Sequence, residues 1–493
     1  MRLHRTTPAA MELWVRGAAA LSKCEAHGNR IDRAYLLSAW DAISARIADA
    51  ERRLVADKDF ALWRRRYGEK AKPTSYDQLA GVFFKDLGFK ARTVTESGDR
   101  EAASVAAFEG IDHPIKTAFF EAAKLRKARD TYLAQIKREM VQHPDDGLWY
   151  VHPSFNLNRV ISFRTSCDSP NYQNIPNHNP EVAEIIRRCY IPRPGMQLGE
   201  IDYGQIEVRM AVPYTQDPAL RTYVTDPATD MHYDMACQIF KLPRAKVSKA
   251  LRSLVKSKYV FATFYGSFYA QTAQWLWEGI DQGGVKVEGS DQTVREHLTK
   301  LGFIHLGDAD TAERGTWTAW LREVDEDFWG KRFKVYAEWK RKWWDDYLRD
   351  GGLSMLTGFA INTPLDKRQV CNAPIQGSSA HCAIWSMCEL TDWLEKYRFD
   401  THHVGEIHDS LNYCMNPKER DDVFHHAQDV MARRIKKWAP WLDVPLTTEC
   451  ELCPIDQPWF FKHALKEDGG RFVPANREKW ERVHGNWDLQ CPA

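Results

Sequence analysis

The chain has 493 residues, 44% of them hydrophobic and 27% charged, a balance that belongs to a folded globular protein and excludes a disordered one. Its 68 Lys and Arg against 67 Asp and Glu leave a formal net charge of +1, so nucleic acid or a membrane surface would have to be met by local patches rather than by the total. No stretch reaches the roughly 20 consecutive apolar residues of a membrane span, and a chain this long is expected to divide into several lobes.

The N-terminus lacks a secretory apolar segment, which implies a cytoplasmic protein, and the 11 scattered cysteines read as reduced thiols. Residues 9–58 carry helical periodicity broken by a turn at Gly28-Asn29-Arg30. A second helical stretch, 101–142, follows the turn-like Ser97-Gly98-Asp99. Its apolar stripe is Leu125, Tyr132 and Ile136, while Lys124, Lys127, Arg129 and Lys137 surround it. These cations are either the wet back of a packed helix or contacts to phosphates.

From about 147 to 212 the helical pattern gives way to tryptophan, β-branched residues and prolines, and Gln197-Leu-Gly-Glu-Ile201 reads as a strand running into Asp202. Helix returns over 230–290. The region 275–343 is rich in tryptophan, and with 19 in the chain the simplest role for these rings is packing. Val404 to Tyr413 is a second strand signal, interrupted by polar residues where a hairpin would bend. Residues 417–440 look helical, and Asp443 to Glu449 reads as an edge strand because Pro445 removes a ladder donor. Cys450 and Cys453 form one C-x-x-C pair with no partner set nearby, which does not make a zinc site.

The chemistry lies in acids at strand ends. Asp202 and Asp409 each sit just past an apolar strand, and if those strands are neighbours the two carboxylates can bridge two divalent ions about 4 Å apart. A cationic helix supplies the complement. Arg252 and Lys256 are four apart and suit the phosphates of a nucleotide, and Phe261 and Tyr265, also four apart, could offer rings beside a base.

In order and spacing these segments resemble the motifs of family A DNA polymerases, the bacterial polymerase I and phage replicase group. Arg164 to Pro176 is similar to the template and primer contacting segment ahead of the first motif. Asp202 to Arg209 resembles motif A, Arg252 to Gly266 the fingers helix of motif B, and His408-Asp409 motif C. Arg368-Gln-Val-Cys-Asn372-Ala-Pro-Ile-Gln376-Gly resembles the helix that contacts the minor groove. Asp77-Gln-Leu79, Leu87-Gly88, Thr93, His113-Pro114 and Thr131-Tyr132 are similar to thumb landmarks, and Val444-Pro-Leu446 to the C-terminal palm.

The resemblance implies an α+β right-hand fold: a tail at 1–14, a thumb at 15–150, a palm at 151–240 and 364–493 built on an antiparallel sheet, and helical fingers at 241–363. It implies 5′–3′ DNA synthesis on a primer, with Asp202, Asp409 and the Tyr203 carbonyl holding two Mg2+ ions, for which Mn2+ can substitute. Lys256 is implied as catalytic. Arg252, Lys256, Phe261, Tyr265, Gln205 and Glu207 would bind the dNTP, with Glu207 as a steric gate against the 2′-hydroxyl. Arg164, Gln173, Asn174, Arg368, Asn372, Gln376 and His408 would hold primer and template. Phenylalanine at 261 implies discrimination against dideoxynucleotides. The implied partners are primer-template DNA and dNTPs, with other replication proteins, no membrane and a monomeric state.

Four departures stand out. Lys256 to Tyr265 spans nine residues where the family has eight, which requires a π-turn near 257–261 or makes Lys258 the phosphate ligand. Ser410 replaces a third acid of motif C. Single-subunit RNA polymerases also carry His-Asp-Ser here, making RNA synthesis the nearest alternative, with an inactive primer-template binding protein as the other, but they have no counterpart of Glu207. Phe163 stands where a glycine normally precedes the arginine, with no reason visible in the sequence. Finally, no Asp-x-Glu cluster precedes the thumb-like region, so no proofreading 3′–5′ exonuclease is expected on this chain, and a separately encoded one, as in a split bacteriophage polymerase, is a candidate partner.

Overall fold

In the computed structural model, which describes residues 4–91, 105–108, 110–176, 179–307 and 313–487, the chain begins with two capped helices. Helix α1 spans Pro8–His27 and α2 spans Arg33–Ala56. The Thr7 and Asp32 side chains accept from the Ala10 and Tyr35 N–H groups, as oxygen-bearing caps do. The expected break is real: Gly28 takes φ 63, and Asn29–Arg30 pairs with the strand Trp149–Val151. Helix α3, Pro114–Arg126, starts at a His113 cap, passes through a π-segment Lys127–Leu133 and continues to Glu139. Thr93, the turn at 97–99 and residues 101–104 lie outside the described residues.

Helix α3 packs on α2 with Leu125 and Ile136 buried, so the packed-helix reading holds. Most of the surrounding cations are engaged within the chain. Lys124 pairs with Glu181, and Arg129 and Lys137 lie over the Trp40 ring at 5.6 and 4.5 Å. Beyond α2, residues Phe60, Trp63, Leu79, Phe83, Phe108 and Phe119 form a small core of their own.

The rest of the chain contains a six-stranded antiparallel sheet and many helices, of which those that bear on the site begin with β1 (Gln197–Tyr203), α4 (Ile206–Thr215), α5 (Met231–Phe240), α6 (Lys249–Val255), α7 (Trp317–Asp327) and α8 (Lys334–Asp350). After them come α9 (Lys367–Lys396), β2 (His402–Ile407), β3 (Ser410–Met415), β4 (Thr448–Leu452), β5 (His463–Asp468) and β6 (Arg471–Pro474). The six strands run in the order β6-β5-β4-β1-β3-β2. Strand β1 alternates, with Gln197, Gly199, Ile201 and Tyr203 buried and Leu198, Glu200 and Asp202 on the more open face, as one-sided burial of a strand requires. On the buried side the Tyr203 hydroxyl meets Ser386 Oγ of α9 at 2.8 Å.

The edge strand expected at 443–449 is corrected here. Strand β4 starts only at Thr448 and is interior, paired with β1 and β5. Pro445 precedes the ladder, and the C-terminal hairpin β5–β6 covers the side left open in the sequence reading. Helix α1, assigned from the sequence mostly to the thumb, lies along α9 and β2. Gly17 permits this approach, because a Cβ there would stand 2.7 Å from Ile384.

Gly377 of α9 faces the backbone of the turn at 160–163, and a Cβ there would collide with the Ser162 carbonyl and press on Met355. Because the obstacle is backbone, Gly377→Ala is expected to destabilise by about 1–3 kcal/mol, read as a lower thermal unfolding midpoint. An unchanged midpoint would mean that the two elements separate freely.

Candidate active site

The two strand-end acids meet. Antiparallel pairing of β1 and β3 sets Ser410 opposite Asp202, and the Tyr203 N–H donates to the Asp409 carbonyl at 3.3 Å. Asp409 occupies the second place of a two-residue hairpin turn whose first residue, His408, has φ 62. A left-handed residue at this place matches the twist of the flanking strands. Gly204 and Gln205 turn the chain from β1 into α4, with Gln205 also left-handed at φ 56.

Both carboxyls are mostly buried, and their acidity shows it. Burial first, and then the neighbouring Asp409 charge, raise Asp202 to about 8; burial likewise raises Asp409. One Asp202 oxygen is buried without a hydrogen-bond partner. The nearby cations have other partners: Arg164 pairs with Glu207 at 3.2 Å, and Lys462 with Glu200 and Glu451 at 2.7 and 2.5 Å. Two buried acids with an orphaned oxygen and little compensating charge fit a hard divalent cation. Among the described residues no group of three His, Cys, Asp or Glu suits a metal. A cation held here would take its other ligands from backbone oxygen, water and phosphate, a set that suits Mg2+.

A cleft of about 1060 Å3 opens above Asp409, lined by Arg164, Gln205, Glu207, Phe261, Tyr265, Arg368, Asn372 and Gln376 among others. Burial raises the Glu207 pKa, and Arg164 opposes that shift. The last three residues of the lining are i, i+4 and i+8 on α9 and so present one face. Asn372 Nδ2 donates to the Tyr265 carbonyl at 3.3 Å, tying α9 to the end of the cationic helix. His408 is half-buried beside this floor, with Nδ1 unpartnered. Gln173 departs from expectation. It is 8% exposed, and its amide donates to Thr165 Oγ1 and Glu406 Oε2, both at 2.8 Å. It braces the segment from below rather than facing the cleft, whereas Asn174 is exposed.

The extra residue of the cationic helix is absorbed as the spacing required, since Lys256–Val260 is a π-segment between α6 and the helical turn Phe261–Phe264. Lys256 Nζ consequently lies 5.4 Å from the Phe261 ring centroid. Arg252 pairs with Asp230 at 2.8 Å. Lys258 also reaches the cleft wall, whereas Arg252 and Lys256 lie outside that lining, toward α5. The sequence reading missed Asp230 and His232, whose signal is the Asp-Met-His at the start of α5. His232 meets the Phe261 ring edge-on at 5.7 Å, and both its nitrogens are buried and unpartnered. Burial, followed by the Arg252 charge, lowers its pKa to about 4.

The tryptophan-rich region packs behind this helix. Phe264 meets Phe328, Trp329, Phe333 and Tyr336 at 5.4 to 5.9 Å. Lys340 donates to the Phe264 carbonyl at 3.3 Å with its Nζ 3.9 Å from the Trp329 ring. Pro374 in α9 has no N–H for the Val370 carbonyl four residues back, and the Trp343 indole donates to that carbonyl at 3.1 Å instead.

A carboxyl whose folded pKa exceeds its unfolded value of about 3.9 favours the folded state while protonated and loses that advantage as pH rises through the folded pKa, about 8 for Asp202. Metal-free protein is therefore expected to melt at falling temperature as pH climbs through this window. Asp202→Asn should flatten the decline, raising the melting point at the alkaline end only. An identical slope in both proteins would contradict the shift.

Comparison with known proteins agrees with this geometry. The family model described as DNA polymerase family A matches residues 60–456. Among relatives named DNA polymerase I, the chain is 26% identical to that of Thermus aquaticus and 31% identical to that of Thermus thermophilus, over 88% of this chain and 46% of each relative. It is 27% identical to that of Synechocystis, over 87% of this chain and 40% of the relative. The chain thus spans less than half the length of these relatives. Among solved structures, the POL domain of Pol1 from M. smegmatis, in complex with DNA primer-template and dNTP, superposes with a TM-score of 0.67 at 21% identity, covering 91% of this chain and 70% of that one. With the right-hand fold shared and the family model matched over most of its length, the chain belongs to DNA polymerase family A.

Proposed function

We propose that this chain carries out template-directed 5′–3′ DNA synthesis, adding dNTPs to a primer 3′-hydroxyl with release of pyrophosphate. The observation that carries the reading is the pair of buried acids, Asp202 and Asp409, brought side by side by the pairing of β1 with β3, with Asp409 on the floor of a cleft lined by Glu207, Phe261, Tyr265 and the polar face of α9. In this reading residues 15–150 are the thumb, 151–240 and 364–493 the palm, and 241–363 the fingers.

Asp202 and Asp409, with the Tyr203 carbonyl, would hold two divalent cations, Mg2+ by the all-oxygen donor set, and bound there such ions would supply charge stabilisation for phosphoryl transfer. The chain's own groups do the rest. Arg252 and Lys256 take the triphosphate, Arg252 already oriented by Asp230. His232, neutral near pH 7 because of its lowered pKa, adds a hydrogen bond rather than a charge. Phe261 and Tyr265 pack beside the base, and Gln205 borders the sugar and phosphate. Glu207, fixed by Arg164, occupies the space under the sugar and favours DNA over RNA synthesis. Arg164, Arg368, Asn372, Gln376 and Asn174 contact primer and template, and His408 orients the primer end. Gln173 acts indirectly, through Thr165 and Glu406.

Primer extension on a defined template with Mg2+ tests the reading. Asp409→Ala is expected to lower the extension rate by about a thousandfold or more with primer-template affinity retained. Undiminished extension would remove the assignment. Glu207→Ala should raise ribonucleotide incorporation relative to dNTPs by about ten- to a hundredfold, and an unaltered ratio would deny Glu207 its role.

A further inference from the structure

Phe163 holds a backbone conformation that L side chains rarely adopt, with φ 58. Glycine enters this region freely, whereas a phenylalanine there persists only where its surroundings over-determine it. The surroundings are a cage of rings drawn from separate parts of the chain. Trp14 of α1 stands edge-on to Phe163 at 5.6 Å, Phe359 lies at 5.0 Å and His381 of α9 at 6.2 Å. Phe359 and His381 stack on each other at 4.0 Å, and the Thr357 hydroxyl lies 2.7 Å from His381 Nδ1. The turn itself closes through the Phe163 N–H to the Val160 carbonyl at 2.9 Å.

The residue that follows is Arg164, whose Nη2 meets Glu207 at 3.2 Å on the cleft wall. Its Nε is buried without a partner, so its aim depends on the backbone. That backbone is fastened on both flanks. On one side is the ring cage, and on the other the Thr165 hydroxyl donates to the buried Glu406 carboxyl at 2.6 Å.

We propose that Phe163 and Trp14 are a positioning pair for sugar discrimination: the ring cage holds the left-handed turn that aims Arg164 at Glu207, so the seating of α1 on the palm determines how firmly the Glu207 carboxylate is held. The proposal rests on the reading of Glu207 as the group beneath the sugar. Neither ring touches substrate, and both act through Arg164. At a position where glycine would supply the backbone angle without help, the phenylalanine makes that angle depend on α1.

The test compares Phe163→Gly, Trp14→Ala and Phe163→Tyr with the parent chain, using single-nucleotide incorporation of a dNTP and its ribonucleotide. Phe163→Gly permits the backbone angle and removes the anchor. It is expected to fold and to lose up to about tenfold of discrimination, no more than deletion of Glu207 removes, mainly through a lower KM for the ribonucleotide. Trp14→Ala should move the ratio the same way, also deciding the matter if Phe163→Gly fails to fold, and Phe163→Tyr should retain the parental ratio. In a Glu207→Ala background Phe163→Gly should change the ratio no further, whereas general loosening of the fold would lower activity there too. Parental discrimination in both Phe163→Gly and Trp14→Ala overturns the proposal. If the parent incorporates no nucleotide, the functional reading itself fails, and a crystal structure of Phe163→Gly then judges the positioning alone. Separation of Arg164 from Glu207 beyond about 4 Å supports it, and an unmoved pair overturns it.

Discussion

The interaction on which the rest of this structure depends is the repulsion of two acids held together out of water. Asp202 and Asp409 come from strands paired in one register, and a shift of that register by one residue would turn Asp202 into the core. The register is held from several directions at once: by the buried face of β1 against α9, by the left-handed His408 that closes the hairpin, and by β4 on the far side of β1. The surrounding cations relieve the pair only in part, because their direct partners are other acids. Lys462 neutralises Glu200 and Glu451 along the same sheet face, and Arg164 reaches Glu207. What remains of the repulsion is relieved by a proton, as the raised pKa of Asp202 shows, or by a cation bound in its place.

The opposite wall is a helix made irregular in order to keep its residues on one side. The π-segment at Lys256–Val260 rotates the chain so that Lys256 stays beside Phe261. Such a segment has weaker backbone hydrogen bonding than a regular helix, and here the helix is buttressed from behind. The aromatic residues around Phe264, the Lys340 contact with its carbonyl and the Asn372 contact with the Tyr265 carbonyl fix its C-terminal end. The tryptophans therefore serve the site through packing. Pro374 couples the same buttress to α9 by leaving a carbonyl for Trp343. The π-geometry is not peculiar to this helix, since α3 carries another such segment, so its functional weight comes from the residues it aligns.

The segment from Phe163 to Asn174 joins these two walls. Its first residue lies in the ring cage, its second pairs with Glu207, and Thr165 and Gln173 bind the buried carboxyl of Glu406, which burial raises to about 7. A hydrogen-bonded carboxyl so close to Asp409 places a further buried acid beneath the site, hydrogen-bonded by neutral donors. The site is thus braced from α1, from the six-stranded sheet and from α9 at once.

Within the amino-acid sequence alone, the strand running into Asp202 and the polar hairpin at His408 and Asp409 were legible, because each is dictated by local chemistry, apolar patterning and turn preference, whereas the need for an extra turn after Lys256 followed from its spacing against the family pattern. The family resemblance followed from the order of these same segments. What tertiary structure decided was everything that depends on a distant partner. Pro445 could not reveal that the C-terminal hairpin would cover β4 and make it interior, nor could Gln173 show that its amide faces Glu406, 233 positions away. Asp230 and His232 went unnoticed because an Asp-Met-His sequence at a helix start is ordinary until Arg252 and Phe261 fold against it. The angle at Phe163 likewise has no local signature, for a phenylalanine is left-handed only when rings from elsewhere in the chain hold it there.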